Sequence, residues 1–581
     1  MKSKTLTPTI LRLCLVSLAF LSLQEGKAQT SSDSLKMDVT FVGEREMVVK
    51  DAIKLQSWPE PRRLTGGKRD FNYRLLSKRL NVIPEWTLIE PVRLKVDAPL
   101  ARLYRGYARA GYGLYNTPLL EISLTDLRSR DGSWGVQASH FATDIPSEFI
   151  EDRYKDSGAR VWASRFLGKE RVDISAYVNS NNVVFYGNPS DETIAPDTTL
   201  GPHERYLSFG SSLGFKSHHR DSTHLNHTAN LDWVQLRDLT GTVEDNFEFS
   251  FDAGKFVGTE KFSLAGSFNL DRLTLGTNNP DTTRADAAIV GLEPMATSYR
   301  GPLTIKVGAG LWVDADAQSR NGDGSTFHFY PRAEASIRLL KDIFVPYVRL
   351  GGGLEQNRLQ SVLEINPFFY AQIDNELRTT SRKADLSIGM RGTLTDAVSF
   401  NIHASNVKYE DYMYFVNDSL LDSGSRFTTL YDTLSVRSFG GDLNLDIVKN
   451  LEIRIQAAVF SYNANGLKNA WNLPSYTASL DIDYTFLEQF SLKSTMKLVG
   501  ERFALSQIEP ADLETFEEIE NGLYSVSLSS YLDINLNLQY RYNDRTAVWI
   551  SMNNLTGAKY KQWTGYQVQG IQALFGASYA F

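Results

Sequence analysis

The sequence predicts an all-β fold: a transmembrane, antiparallel outer-membrane β-barrel of about 22 strands with a short N-terminal periplasmic extension. Three observations carry this. Apolar and polar residues alternate over stretches of about ten residues, long and short connections follow one another down the chain, and the chain ends inside a strand on an aromatic residue.

Composition narrows the field first. The chain has 581 residues, 22% charged, 42% hydrophobic and 12% aromatic. That is too apolar and too aromatic for a disordered protein. No Pro/Gly/Ser-rich linker divides it into the several domains that a soluble chain of this length would form. The only cysteine, Cys14, lies in the leader. A disulfide scaffold, a thiolate zinc site and a cysteine nucleophile are thereby excluded from the mature protein.

Residues 1–29 read as a secretory signal: Lys2, Lys4 and Arg12 precede the apolar run Leu13–Leu23, and Lys27-Ala28-Gln29 offers a small-residue cleavage site. The run is about half the roughly 20 residues that a spanning helix needs. Removing these residues, which carry a net +3, leaves a mature charge of about −10 against the −7 of the whole chain. No later segment is apolar enough for a membrane helix, so an exported chain that spans a membrane must do so with strands.

Residues 30–102 are expected to form a basic, non-globular periplasmic or lumenal extension. Arg62, Arg63, Lys68, Arg69, Arg74, Lys78 and Arg79 face only Asp70, and Pro59, Pro61, Pro84, Pro91 and Pro99 discourage long helices. Two roles fit its charge. It lies in the barrel mouth against lumenal carboxylates such as Asp481, Asp483 and Asp533, or it docks a periplasmic partner, with Arg62, Arg63, Lys68 and Arg69 as the contact residues.

The barrel is expected over 103–581. In Tyr531–Arg541, Leu532, Ile534, Leu536, Leu538 and Tyr540 share one face, and Asp533, Asn535, Asn537 and Gln539 share the other. Ser475–Phe486 and Leu451–Val459 repeat the alternation. Ordinary globular strands run about five or six residues, and these run about ten, the span of a tilted membrane strand. Short turns recur near 129–133, 168–170, 218–222, 257–259, 300–302, 341–342, 395–396, 449–450, 488–489 and 543–544. The intervals are about 40–55 residues, room for two strands and an outer loop. A first hairpin near Arg105–Arg128 completes the count of about 22. In the last strand, Gly570–Phe581, Ile571, Phe575, Tyr579 and Phe581 are expected to face lipid.

The end of the chain carries a resemblance. Met552-Asn553-Asn554-Leu555-Thr556, Lys559-Tyr560, Trp563, Gly565-Tyr566, Gly570 and Phe575–Phe581 resemble the last hairpins of TonB-dependent receptors. With Val39–Glu44, Asp51–Lys54, Leu103–Tyr107 and Gly111–Pro118, the chain looks like a Bacteroidota branch of that family. The resemblance implies a 22-stranded barrel in the outer membrane of a Gram-negative cell, lipids around it, and barrel-assembly machinery as a partner in biogenesis. Tyr579 and Phe581 are similar to the C-terminal assembly signal of such barrels. The family carries a plug of well over a hundred residues, whereas only about 75 residues precede this barrel, so a branch lacking the plug is expected.

Chemistry is sparse. His218, His219, His224 and His227 cluster within a turn, but His224 and His227 fall on opposite strand faces. Asp314, Asp316, Asn321 and Asp323 resemble a calcium loop, yet Ser319 stands where that loop needs glycine. No G-x-S-x-G, P-loop or H-E-x-x-H occurs. The reading is a protein that is not an enzyme, uses no cofactor or metal and binds no nucleic acid. Two aromatic stretches, Pro367–Tyr370 and Tyr409 to Phe415, read as interfacial or loop-packing residues, with a ligand or partner surface as the alternative. Two functions stay open: transport through a lumen gated without a full plug, or an accessory or scaffold subunit of an outer-membrane assembly or secretion complex, with a periplasmic or outer-membrane partner.

Overall fold

A computed structural model describes residues 103–581, apart from 128, 146–151, 188–202, 218, 220–223, 277–283, 317–324, 341, 372–376, 418–424, 449, 508–515 and 521. The signal peptide and the basic extension lie outside the described residues.

The first strands are β1 (Gly106–Gly113), β2 (Thr117–Thr125), β3 (Gly132–Asp144), β4 (Arg153–Leu167), β5 (Glu170–Val184), β6 (His203–Ser217) and β7 (Asn226–Arg237). There follow β8 (Val243–Val257), β9 (Glu260–Thr274), β10 (Arg284–Arg300), β11 (Leu303–Asp316), β12 (Thr326–Ile337) and β13 (Val345–Glu355). A one-helix loop, α1 (Leu359–Ile365), leads to β14 (Thr380–Thr395), β15 (Val398–Asn417), β16 (Phe427–Val448), β17 (Leu451–Ala464), β18 (Tyr476–Phe486) and β19 (Phe490–Val499). The chain closes with β20 (Arg502–Ser506), β21 (Phe516–Glu520), β22 (Leu523–Leu528), β23 (Tyr531–Arg541), β24 (Thr546–Asn553), β25 (Lys561–Trp563), β26 (Tyr566–Gln567) and β27 (Gln572–Ala580).

Strands β1 to β19 pair in order, β19 pairs with β23, β23 with β24, β24 with β27, and β27 with β1. The result is a closed, antiparallel barrel of 22 strands, as the sequence predicts. Closure pairs the first wall strand with the last, so the 22-strand wall has no edge strand. Strands β20 to β22 form an outer extension, and β25 and β26 are a separate hairpin inside the last loop.

Three two-residue turns, at Gly168, Gly258 and Gly301, show how the hairpins are made. Each places a glycine first, with φ of 66°, 64° and 60°. Lys169, Thr259 and Pro302, which follow the glycines, are not in positive φ, so these are type II′ geometries, whose twist suits a hairpin. The outer connections are less uniform than the sequence suggests. Leu114–Asn116 and Asp238–Thr242 are short links, because Tyr115 and Asn116 take positive φ and Asp238 accepts the Thr242 N–H at 2.7 Å. The other end of the range is β16, whose 22 residues extend about 70 Å and carry it well beyond the bilayer.

The apolar belt faces outward. Ile174 is 56% exposed, Phe439 60% and Phe575 67%. The seam is held by a ladder from Tyr107↔Ala580 to Gly113↔Leu574 and by two further bonds, Gly106 N–H to Phe581 O at 2.8 Å and Phe581 N–H to Gly106 O at 2.9 Å. Inside it, Trp549 lies across Gly111 and Gly576, where any Cβ would come within 2.5 Å of the indole. The Arg109 guanidinium stacks on that ring at 4.0 Å.

Candidate functional site

The main core of this molecule is inside its outer mouth. Val183, Tyr206, Leu236 and Leu273 stand at the outer ends of β5, β6, β7 and β9 and turn inward. Against them pack Leu359 and Val362 of α1, Phe369 of the same loop, Phe415 and Phe427 of β15 and β16, and Trp563 and Tyr566 of the last loop. Val362, Phe369 and Phe427 are fully buried. Two loops therefore fold into the barrel and meet.

The first is a strap comprising 356–371. Its helix has only seven residues, too few to persist alone, so its docking must hold it. Glu244, on the inner face of β8, accepts the backbone N–H groups of Leu359 and of Gln360, the latter at 2.9 Å. Arg358 donates to Asn246, which donates in turn to Asp271 at 3.1 Å and Asn269 at 2.9 Å. The other end pairs with β16: Tyr370 N–H reaches Phe427 O at 3.1 Å and Phe427 N–H reaches Phe368 O at 3.0 Å. Tyr206 and the strap meet again where the Tyr206 hydroxyl donates to Phe369 O at 3.5 Å.

The second is the β25–β26 hairpin. Gly565, with φ of 79°, turns it. Arg502 holds it by donating to the Gln562 and Lys561 carbonyls at 2.8 and 2.7 Å. Asn554, with φ of 49°, pins the loop ends through Ala558 O and Gln569 O, both at 2.8 Å. The Met552–Thr556 motif is thus an anchor for this loop. Tyr566 stacks on Phe368 at 3.5 Å between ring centroids and donates its hydroxyl to Ser425 O, joining hairpin to strap. Tyr186 donates to Gln567 O at 3.0 Å; burial pushes its phenol up to about 12, so it remains a donor at any physiological pH. Arg426 is fully buried, its guanidinium 4.0 Å over Phe185 and 4.5 Å from the Tyr370 ring.

The structure sorts the sequence-derived candidates. Phe368 to Tyr370 and Tyr412 to Phe415 are packing residues, since Phe369, Tyr414 and Phe415 are buried. Asp481, Asp483 and Asp533 line the lumen but do not gather. Lys493 faces both Asp483 and Asn537, and Lys497 faces Asp533, so the two carboxylates lie four residues apart, about 13 Å along the strands. Asp533 is at the outer end and Asp483 at the turn end, where Lys493 pairs with it at 2.8 Å. Asn535, which alternation alone treats as one more lumenal position, accepts the Asn554 N–H at 3.0 Å and so supports the last loop. His219 stacks on His224 at 5.1 Å and His227 approaches Glu170 at 3.5 Å. Among the described residues no three histidine, cysteine or acidic side chains are placed to hold a metal. Arg62, Arg63, Lys68 and Arg69 lie outside the described residues. Tyr579 and Phe581 stack at 6.2 Å on the outer face.

Glu244, Arg358, Arg426 and Arg502 had no sequence signal, because each acts through a backbone group, a side-chain amide or a ring distant along the chain. Trp563 and Tyr566 did: an aromatic pair around Thr564-Gly565 marks a tight hairpin.

No protein-family model matches the chain, and no curated protein does. Solved structures do. The FrpB iron transporter from Neisseria meningitidis is 10% identical, with a TM-score of 0.63 over 83% of this chain and 82% of that one. The siderophore receptor PirA from Acinetobacter baumannii is 11% identical, with a TM-score of 0.62 over 83% and 81%. The ferric enterobactin receptor PfeA from Pseudomonas aeruginosa is 12% identical, with a TM-score of 0.60 over 83% and 82%. At such identity the likeness establishes the fold. The chain is a large outer-membrane β-barrel with the strand plan of those structures.

Proposed function

We propose that this barrel carries a solute across the outer membrane through a lumen that its own infolded loops close, without a full plug. The observation that supports the reading is the capped mouth. A strap and a hairpin from opposite parts of the sequence bury a shared aromatic core, and the strap's polar end rests on one carboxylate, Glu244. A closure made of loops can open by undocking a loop, with the wall left intact. The solved structures named above are an iron transporter and siderophore receptors, which favours a transport role. In this reading residues 30–102 form the basic extension, with Arg62, Arg63, Lys68 and Arg69 at the periplasmic mouth or on a periplasmic partner, and residues 1–29 are the signal.

The density of the cap favours a second reading. A mouth sealed by side chains with no exposure is also what a non-transporting subunit of an envelope complex requires. Osmotic swelling of proteoliposomes separates the two. A folded Glu244→Ala, Val362→Asp variant should admit small solutes that the unaltered protein excludes. If both stay impermeable, the lumen is no pathway, and a partner retained through mild detergent would identify the accessory role.

A further inference from the structure

We propose that the lumenal wall over Gly351–Gly353 is a binding station for a small solute carrying two or more carboxylate or phosphate groups. The proposal rests on the transport reading and adds the charge class that the lumen selects.

The wall of β11 to β14 encloses a recess of about 330 Å³. Its lining includes four cations, Lys306, Arg332, Arg349 and Arg382, against two carboxylates, Glu334 and Asp385. Lys306 is paired with Glu334 at 3.0 Å, which leaves the three arginines as the cations that face the open space. No aromatic side chain lines it, so it lacks the platform on which a neutral sugar stacks, and a cation would meet three guanidinium groups.

Its floor is bare backbone. Three successive glycines sit in β13, and the ladder to β14 shifts register between Gly351 and Gly353. Glycine weakens a strand interior and marks places where another group approaches the backbone closely. Only one of the three is explained by packing: a Cβ on Gly352 would come within 2.7 Å of the Tyr330 ring. A Cβ on Gly351 would meet nothing within 4 Å. On Gly353 it would meet only Arg382 Nη2 at 3.7 Å and Arg332 Nη2 at 3.9 Å. Two guanidinium ends therefore point at the space above that floor.

The arginines differ in how fully they are engaged. Arg332 is fixed, both Nη atoms on Glu293 and one also on Gly352 O at 3.1 Å. Arg382 and Arg349 share Asp385 Oδ2 at 3.7 and 4.0 Å, and Arg382 stands 3.9 Å from Glu355. These separations exceed hydrogen-bond reach, and Arg349 makes only a long bond, from Nη2 to Ser387 Oγ at 3.5 Å. Asp385 is held back by Ser387, whose hydroxyl donates to its other oxygen at 2.9 Å. The Nε atoms of Arg332 and Arg382 are buried without an acceptor. The loosely held forks of Arg349 and Arg382, over an open floor, suit a bidentate oxyanion, a geometry that guanidinium matches.

Isothermal calorimetry on the purified full chain in detergent, at low salt, tests this with citrate and, separately, with inorganic phosphate. Citrate should bind saturably, one to one. Arg349→Gln with Arg382→Gln should weaken it at least tenfold. Gly351→Leu, which fills the recess and leaves every ion pair in place, should do the same, and Arg300→Gln, at a turn, should change nothing. Phosphate binding with the same dependence on these variants would assign a phosphate-bearing solute; citrate binding alone would assign a polycarboxylate. Absence of saturable heat with either anion, or unchanged affinity in Gly351→Leu and in the paired arginine variant, would overturn the proposal. Calorimetry reads this site whether or not the lumen conducts, so its failure and that of the transport reading are separable.

Discussion

Glu244 accepts the backbone N–H of Gln360 at 2.9 Å, across 116 residues of sequence, so an acid on the wall of β8 caps a helix that belongs to the loop after β13. A second N–H, from Leu359, reaches the same carboxylate. The closed mouth depends on this junction, because α1 is too short to hold its own shape.

Glu244→Ala leaves those two donors buried and unpaired. An unsatisfied buried donor costs about 1–3 kcal/mol, so the strap should release while the barrel stays folded. Hydrogen exchange should show 359–365 losing protection and β8 keeping it. Glu244→Gln retains one carbonyl acceptor and should fall between.

Leu536 faces lipid, between Ser494 on β19 and Met552 on β24. Leu536→Arg should cost about 2–4 kcal/mol if the site is near mid-bilayer. Asn537→Arg, one residue on, enters the lumen and should be mild. Heat-modifiable gel mobility reports folding, and equal effects would mean that the register is wrong by one.

Phe581 closes the barrel: its backbone exchanges two bonds with Gly106, and its ring lies where a Cβ on Gly106 would sit, 2.3 Å away. Phe581→Ala keeps the backbone bonds and removes the ring. We expect slower assembly in membranes with an unchanged final fold, read as delayed appearance of the heat-modifiable form. Tyr579→Ala should show the same delay if both residues serve as the assembly signal.

The basic extension has a separate test. Changing Arg62, Arg63, Lys68 and Arg69 together to Gln should raise conductance if these cations obstruct the periplasmic mouth. It should instead release a copurifying protein if they dock a partner. Neither change would reduce the segment to a tether.

Much of the barrel was legible because membrane strands obey strong local rules. The alternation in Tyr531–Arg541 follows from lipid on one side and water on the other, and the turns at Gly168, Gly258 and Gly301 follow from the positive φ that a two-residue hairpin demands. The cap was not legible. Val183 and Leu236 carry no local mark of what covers them, α1 is too short to show a helical period, and the Glu244–Gln360 contact joins residues that no local rule connects. Asn535 shows the same limit on a smaller scale, since only the fold reveals that it holds Asn554.

Single-channel conductance in planar bilayers tests the central claim, that infolded loops seal the outer mouth. The comparison is between the full chain and a variant in which 357–379 is replaced by a short Gly-Ser linker. The strap-less barrel should show a large, steady conductance where the unaltered protein is closed. A folded strap-less barrel that stays as closed as the full chain would contradict the account.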